Sequence, residues 1–315
     1  MPDRDQSPLP AVFQELGIDL NLVRDRLAGR ENPGFAERMA MRDRLEIHVL
    51  DRLEGMMDIR TSLAEGEAVR HAAARLMEIL DSRDDTQFLQ IREGIRAGNL
   101  AGEALRNLLL QEAGPASGTE QANPGYDNLD ILLNGIFSGG LAPEESRDLE
   151  PEMVFYQKTP GRIILELVER AHFSKEDVFY DLGSGWGQVP MLVHLLSGVR
   201  AQGVERDSAY VRYSRETAAA LNLASVSFLE ADVRSADVSD GTVFFLYTPF
   251  TGRMLAEVVE KLRRASRGRR VRVFTYGPCT LEVIGREGIV LQESASFRPS
   301  PHRLTGFVFV DGVAT

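Results

Sequence analysis

The sequence predicts an α/β fold: a mostly parallel sheet flanked by helices, preceded by an all-helical region. Three observations carry this. Residues 150–311 alternate short β-branched or aromatic runs with helical segments, the pattern of strands joined by crossover helices. A glycine-rich turn follows the apolar run Val178-Phe179-Tyr180 and opens into a helical pattern near Gln188. Residues 1–110 place leucines and alanines three and four apart with no strand signal.

In the helical region, Ala40-Met41-Leu45-Val49-Leu50-Leu53 and Ala68-Ala72-Leu76-Leu80 read as apolar faces of amphipathic helices. Leu100, Leu105, Leu108 and Leu109 indicate a further helix with Asn99 as its N-cap. Four to six helices are expected over residues 1–112, forming a cap or dimerisation element, so a homodimer through this domain is the oligomer expected. Residues 113–126 are rich in Gly, Pro, Ser, Asn and Gln and read as a linker. Residues 127–315 form the second domain, starting with a helix over 127–137 that is expected to wall the acceptor side of the site.

The predicted strands are 177–182, 201–205, 225–229, 242–248, 270–276, 288–295 and 304–310. Helices are expected over 160–172, 187–197, 208–222 and 252–266. The turn around Pro299-Ser300-Pro301 is too short for a parallel crossover, so the last strand is expected to run antiparallel.

The formal net charge of -11 argues against a chain held to nucleic acid by its overall field. Cys279 is the single cysteine and cannot form an internal disulfide. The polar start has no signal-peptide layout and no apolar run approaches a membrane span, so a soluble, cytoplasmic protein is expected, without a membrane partner. No metal-ligand spacing is present.

The loop Gly183-Ser184-Gly185-Trp186-Gly187 has spacing G-x-G-x-G and follows Asp181. Three glycines in five positions weaken regular structure, so the bare backbone suits close approach by a ligand. A dinucleotide fingerprint is G-x-G-x-x-G, and a carboxylate at the strand end repels a pyrophosphate but can receive an ammonium group. This favours S-adenosylmethionine over a dinucleotide. Glu205, closing the next predicted strand in Gly203-Val204-Glu205-Arg206, can accept ribose hydroxyls. Asp232, after the third strand, can accept an adenine amino group, while Val233 offers its amide.

With DLGSGWG, GVERD and EADV in this order, residues 150–311 resemble a class I S-adenosylmethionine-dependent methyltransferase. The form DLGSGxGQ, closed by Gln188, is similar to the disruptor-of-telomeric-silencing family of histone-lysine methyltransferases and its bacterial relatives. The resemblance implies a Rossmann-like seven-stranded sheet with an antiparallel last strand, in agreement with the independent reading of the C-terminal hairpin. It implies S-adenosyl-L-methionine as cofactor, with Asp181, Gly183, Ser184, Gly185, Gln188, Glu205, Arg206, Asp232 and Val233 around it. The segment before the first crossover helix would cover the methionine end through Tyr156, Lys158 and Thr159. For Thr159 the alternative is an N-cap followed by Pro160 at the first helical position.

Tyr247-Thr248-Pro249-Phe250 stands where amino-methyltransferases carry an Asn/Asp-Pro-Pro-aromatic tetrad. Tyr247 replaces the amide or carboxylate, which speaks against adenine or glutamine methylation, and the paired asparagines of the histone enzymes are absent. Tyr247, Tyr156 and His302 are the catalytic candidates, with Tyr247 also facing the cofactor. Trp186 either shields the cofactor or packs. The arginine cluster over 263–272 reads as a solvated helix end. The expected function is methyl transfer to a small-molecule or peptide acceptor. Protein-lysine methylation is the alternative within the enzyme class, and a non-catalytic S-adenosylmethionine sensor or scaffold the alternative outside it.

Overall fold

The computed structural model describes residues 9–29, 32–56, 63–116, 125–138, 143–144, 152–293 and 296–309. They divide into two compact units: Met1–Gln90 with Glu112–Gly114, and Ile91–Gln111 with Pro115–Thr315. Residues 91–111 thus group with the sheet-bearing unit. Most of the predicted linker, 117–124, lies outside the described residues.

The first unit contains α1 (Leu9–Ala28), α2 (Phe35–Asp43), a π-helical segment (Arg44–Asp51), α3 (Arg52–Met56) and most of α4 (Leu63–Arg96). Met41, Leu45, Val49, Leu76 and Leu80 of the apolar faces read from the sequence pack with Ala73 and with Leu20, Val23 and Leu27 of α1, whereas Ala40 and Ala68 of those faces are exposed. Inside this unit Arg38 is 2% exposed. Its guanidinium donates to Asp84 Oδ1 at 2.5 Å and to the Pro33 carbonyl at 2.6 Å. Burial of such a charge is tolerable only with this degree of pairing.

The second unit begins with the end of α4 and α5 (Gly102–Ala113). Asn99 does not cap α5, which starts three residues later. The amides of Asn99 and Leu100 instead donate to the Gly94 carbonyl at 3.0 and 3.1 Å, closing the end of α4. α6 (Asn128–Phe137) matches the predicted helix. Asp127 accepts from Leu129 N at 2.8 Å, and Asp130 reciprocates on Asp127 N at 2.9 Å. Asp130 also accepts from Gly161 N at 2.8 Å, which fastens α6 to the start of α7 (Gly161–Ala171).

The sheet comprises β1 (Val178–Leu182), β2 (Arg200–Glu205), β3 (Val226–Glu230), β4 (Val243–Tyr247), β5 (Arg272–Tyr276), β6 (Ile289–Leu291) and β7 (Thr305–Phe309). Its order is β3-β2-β1-β4-β5-β7-β6, with β7 antiparallel to both neighbours and the first five strands parallel. This is the expected seven-stranded sheet. α8 (Gln188–Ser197), α9 (Ser208–Ala220) and α10 (Gly252–Ala265) cross between strands, and the unpredicted short α11 (Cys279–Ile284) follows β5. β1, β4 and β5 are almost wholly buried, which is why they read as continuous apolar runs. β6 ends at Leu291, and beyond it the Glu293 side chain accepts from Gly306 N at 2.6 Å; residues 294–295 of the expected strand lie outside the described residues.

Candidate active site

β1 pairs with β2 on one side and β4 on the other, so the chain reverses direction across the sheet at this point. Ligands of open α/β sheets bind in the crevice at the carboxyl ends of strands beside such a switch point. A cavity of about 530 Å³ lies there, lined from the lead-in segment 153–159, the loop after β1, the ends of β2 to β5, and Pro301 and His302.

The glycine loop has Gly183, Gly185 and Gly187 at φ +95°, +50° and +78°. A Cβ at these positions would lie 2.4 Å from Pro249, 2.0 Å from Tyr156 and 2.5 Å from Phe228 respectively. Three protein side chains therefore require the bare backbone at these positions. The amides of Gly183 and Ser184 donate to the Val204 carbonyl at 2.9 and 3.1 Å, tying the loop to β2. Gly187 supplies no side-chain cap to α8, and the helix opens onto the cavity at Gln188. Ser184 Oγ is buried without a hydrogen-bond partner among the described residues.

Three acids line the cavity. Asp181 is 3% exposed, and its carboxylate has no hydrogen-bond partner among the described residues. Burial, and then the charge of Glu205, hold its pKa well above the ordinary carboxylate range. Glu205 accepts from Gly185 N at 2.8 Å, Arg206 N at 2.7 Å and Asp207 N at 2.8 Å. A carboxylate has about four acceptor sites, so roughly one remains. Burial still raises its pKa. Asp232 is chelated by Arg234, whose Nε lies 3.0 Å from both carboxylate oxygens, and this contact lowers its pKa. Val233, Phe250 and Met254 give the cavity an apolar wall beside it. Arg206 also lines the cavity, with Nη1 3.1 Å from Met153 Sδ.

Along the lead-in segment, Tyr156, Gln157 and Thr159 line the cavity and Lys158 does not. The Lys158 ammonium donates to Asn134 Oδ1 at 2.6 Å and sits 4.3 Å from the centre of the Trp186 ring. These two contacts hold the Lys158 side chain away from the cavity. Tyr156 packs against Trp186 and Tyr210 at ring separations of 5.3 and 5.4 Å. Burial pushes its hydroxyl pKa up although a backbone hydrogen bond from Trp186 opposes this. Trp186 is absent from the cavity wall and packs on these rings. The N-cap of α7 is Pro160, not Thr159.

At the other end of the cavity, the Tyr247 and Tyr276 rings lie 5.0 Å apart. The Tyr247 hydroxyl donates to Gln157 Oε1 at 3.3 Å, and the Tyr126 hydroxyl also engages it. Burial raises the pKa of Tyr247, and burial followed by the neighbouring Tyr247 pushes Tyr276 up to about 12. Thr248 adopts φ +39°, rare for a β-branched residue and doubly so before proline. Its Oγ1 donates to the Tyr276 carbonyl at 3.1 Å and accepts from Cys279 N at 3.3 Å. His302 is exposed and borders the cavity. Cys279 is buried and burial raises its thiol pKa, opposite to what a nucleophile needs.

The site thus gathers Tyr156, Thr159, Asp181, Gly183, Ser184, Gln188, Glu205, Arg206, Asp232, Val233, Tyr247 and His302 around one cavity; Gly185 meets it through Tyr156, and Lys158 stands apart. Sequence reasoning missed Gln157 and Tyr126 as partners of Tyr247. Arg263 and Arg264 of the arginine cluster hold Glu260 down to about 2, whereas Arg272 is buried on β5 and pairs with Asp177 at 2.7 Å, which corrects the expectation that it belongs to a solvated helix end. Among the described residues no group of side chains could hold a metal ion, and no helix is long and apolar enough to cross a membrane.

Residues 152–271 match the sequence profile of the family described as histone methylation protein DOT1. No curated protein matches the chain. The solved structures similar to it include an RNA methyltransferase from Salinibacter ruber in complex with S-adenosyl-L-homocysteine. It is 25% identical over 49% of this chain and 92% of its own, with a TM-score of 0.39. A precorrin-6y C5,15-methyltransferase from Geobacter metallireducens is 16% identical over 51% and 93%, with a TM-score of 0.36. An S-adenosylmethionine-dependent O-methyltransferase from Thermotoga maritima is 17% identical over 49% and 66%, with a TM-score of 0.36. The profile match, less than half of the chain, falls on β1 to β4 and on the loops that build most of the cavity.

Proposed function

We propose that the enzyme methylates a small-molecule or peptide acceptor held against Tyr247 and Tyr276. The supporting observation is the distribution of charge around the cavity. Its lining acids, Asp181, Glu205 and Asp232, all belong to the β1, β2 and β3 half. The half carrying Tyr247, Tyr276, Pro301 and His302 contributes hydroxyls, prolines and an imidazole but no lining carboxylate. A neutral acceptor suits those groups better than a cationic side chain, which would arrive without a counter-charge.

The residues present suit the cofactor. Asp181, a buried carboxylate without a partner, gains a counter-ion from an ammonium group. Ser184 Oγ and the open start of α8 favour a carboxylate beside it. Glu205 has acceptor capacity for ribose, and Asp232 with Val233 borders the base. Arg206, Tyr156 and Thr159 close the cradle. When bound, the cofactor supplies an electrophilic sulfonium methyl group. Tyr247 and Gln157 orient the acceptor lone pair towards it, a positioning effect. The tyrosines keep their protons at neutral pH, so they act as hydrogen-bonding groups and not as bases. His302, at the rim, receives the proton that the acceptor loses.

Protein-lysine methylation is the second reading, favoured by the DOT1 profile match. The test is release of S-adenosylhomocysteine from the purified enzyme with panels of small amines, phenols, acids and neutral peptides, set beside a lysine-rich protein. Turnover confined to the lysine-rich protein overturns the first reading.

A further inference from the structure

The lead-in segment is fastened to the loop after β4 through Glu152. Its carboxylate accepts from Met254 N at 2.7 Å and Arg253 N at 3.2 Å, capping the start of α10 from a remote part of the chain. The helix's own N-cap, Thr251, makes no side-chain cap bond. The backbones join beside it: Thr251 N donates to the Glu152 carbonyl at 2.9 Å, Val154 N to the Pro249 carbonyl at 3.3 Å, and Met153 bridges Phe250. Gly252 has φ +59°, and a Cβ there would lie 2.9 Å from Glu152 Oε1.

Each partner in this clasp carries one wall of the cavity. The lead-in segment brings Met153, Tyr156 and Thr159, and the loop brings Thr248, Pro249 and Phe250 directly behind Tyr247. We infer that Glu152 is a positioning residue for methyl transfer, holding the cofactor-side and acceptor-side walls in a single register. Seating of the cofactor under Tyr156 is thereby transmitted to the loop that aims Tyr247. The inference rests on the cofactor placement proposed above. An in-line transfer depends on alignment across these walls, so two loosely joined walls would bind cofactor yet misalign the acceptor.

Glu282 supplies a control. Its Oε2 accepts from Gly252 N at 2.9 Å, so it supports the same helix end from α11 without touching the lead-in segment.

The experiment follows amide hydrogen exchange of the full chain with and without S-adenosylhomocysteine, in the wild type and in Glu152→Ala and Glu282→Ala, with calorimetry of binding in parallel. Both variants should exchange about fivefold faster at the start of α10, as loss of a cap predicts. In the wild type and Glu282→Ala, S-adenosylhomocysteine should slow exchange at 152–157 and 251–254 together. In Glu152→Ala it should slow 152–157 alone, while Glu152→Gln should restore part of the joint response. Joint protection surviving in Glu152→Ala, or lost equally in Glu282→Ala, overturns the inference while the cofactor placement stands. Absence of any binding in the wild type overturns both.

Discussion

The ring of Tyr156 rests on the backbone of Gly185, leaving no room for a side chain: a Cβ would lie 2.0 Å from Tyr156 Cε2. Gly185→Ala therefore either expels the ring or strains the loop, at a φ of +50° that alanine disfavours. A stability loss of about 1–3 kcal/mol is expected. Binding of S-adenosylhomocysteine should weaken about tenfold or more, since Tyr156 leaves the cavity wall. Trp186, the single tryptophan, packs on Tyr156 and reports the change through its emission.

With the cofactor placed as proposed, Asp181 should couple its binding to pH. Its folded-state pKa is raised, so the folded protein holds this proton more tightly than the unfolded chain. Stability of the cofactor-free protein should fall as pH rises from the ordinary carboxylate range to the raised value. Affinity for S-adenosylhomocysteine should rise through that window, because the ammonium needs the charged form. Asp181→Asn should melt higher than wild type at neutral pH, with the difference vanishing in acid. It should bind the ligand roughly ten- to hundredfold more weakly at pH 8, as loss of a charge-assisted hydrogen bond implies. Melting and calorimetry across pH decide; an equally steep affinity profile in the variant would refute the coupling.

Thr248 stores backbone strain beside the acceptor wall. Replacing it by Gly relieves about 1–3 kcal/mol of strain while forfeiting two hydrogen bonds of about 1 kcal/mol each. The melting temperature should change little. Turnover should drop about tenfold or more as Tyr247 loses its fixed backbone. A matching loss of stability would show that the strain is smaller than its φ implies.

Under the proposed acceptor placement, Tyr247→Phe and Tyr276→Phe should leave S-adenosylhomocysteine affinity within about twofold and lower turnover about tenfold to a hundredfold, with Tyr247→Phe also releasing Gln157. With Tyr276 pushed up to about 12 and Tyr247 raised as well, the pH–rate profile should show no tyrosine limb below pH about 9. Such a limb would assign one of them a base role.

In the helical unit, Asp84→Ala leaves the buried Arg38 guanidinium without its carboxylate. Breaking such a pair typically costs about 3–5 kcal/mol, which denaturant unfolding of the full chain would register. Arg42, also paired with Asp84 at 3.0 Å, is more exposed, and its own truncation should cost less.

β1 was legible as a largely apolar run buried on both faces, and β2 and β7 as short segments alternating with helical stretches or turns; all three lie within about two residues of expectation. Asp181, Glu205 and Asp232 were legible because each closes or follows one of those strands. Features built from distant chain were not. Tyr156 on Gly185, Pro249 on Gly183 and Glu152 on α10 are contacts between segments that share no local pattern. The π-helical segment was hidden because Leu45, Val49 and Leu53 keep a spacing that also reads as an ordinary helix. The position of Lys158 apart from the cavity was not legible because it depends on contacts with Asn134 and Trp186, which are distant in sequence. The burial of Arg38 was not legible, since its carboxylate partner Asp84 comes from another helix.

The strand order has a consequence for how this enzyme could acquire new substrates. Donor-side acids sit on β1, β2 and β3, whereas Tyr247 and Tyr276 end β4 and β5, across the point where the sheet reverses. Mutations on the second half can reshape acceptor choice while leaving the donor cradle intact. Pro249, lodged against Gly183, is a place where such drift would be felt on both sides. Directed evolution towards another acceptor should therefore accumulate changes around Tyr247, Tyr276 and His302 and spare the pairing of Pro249 with Gly183.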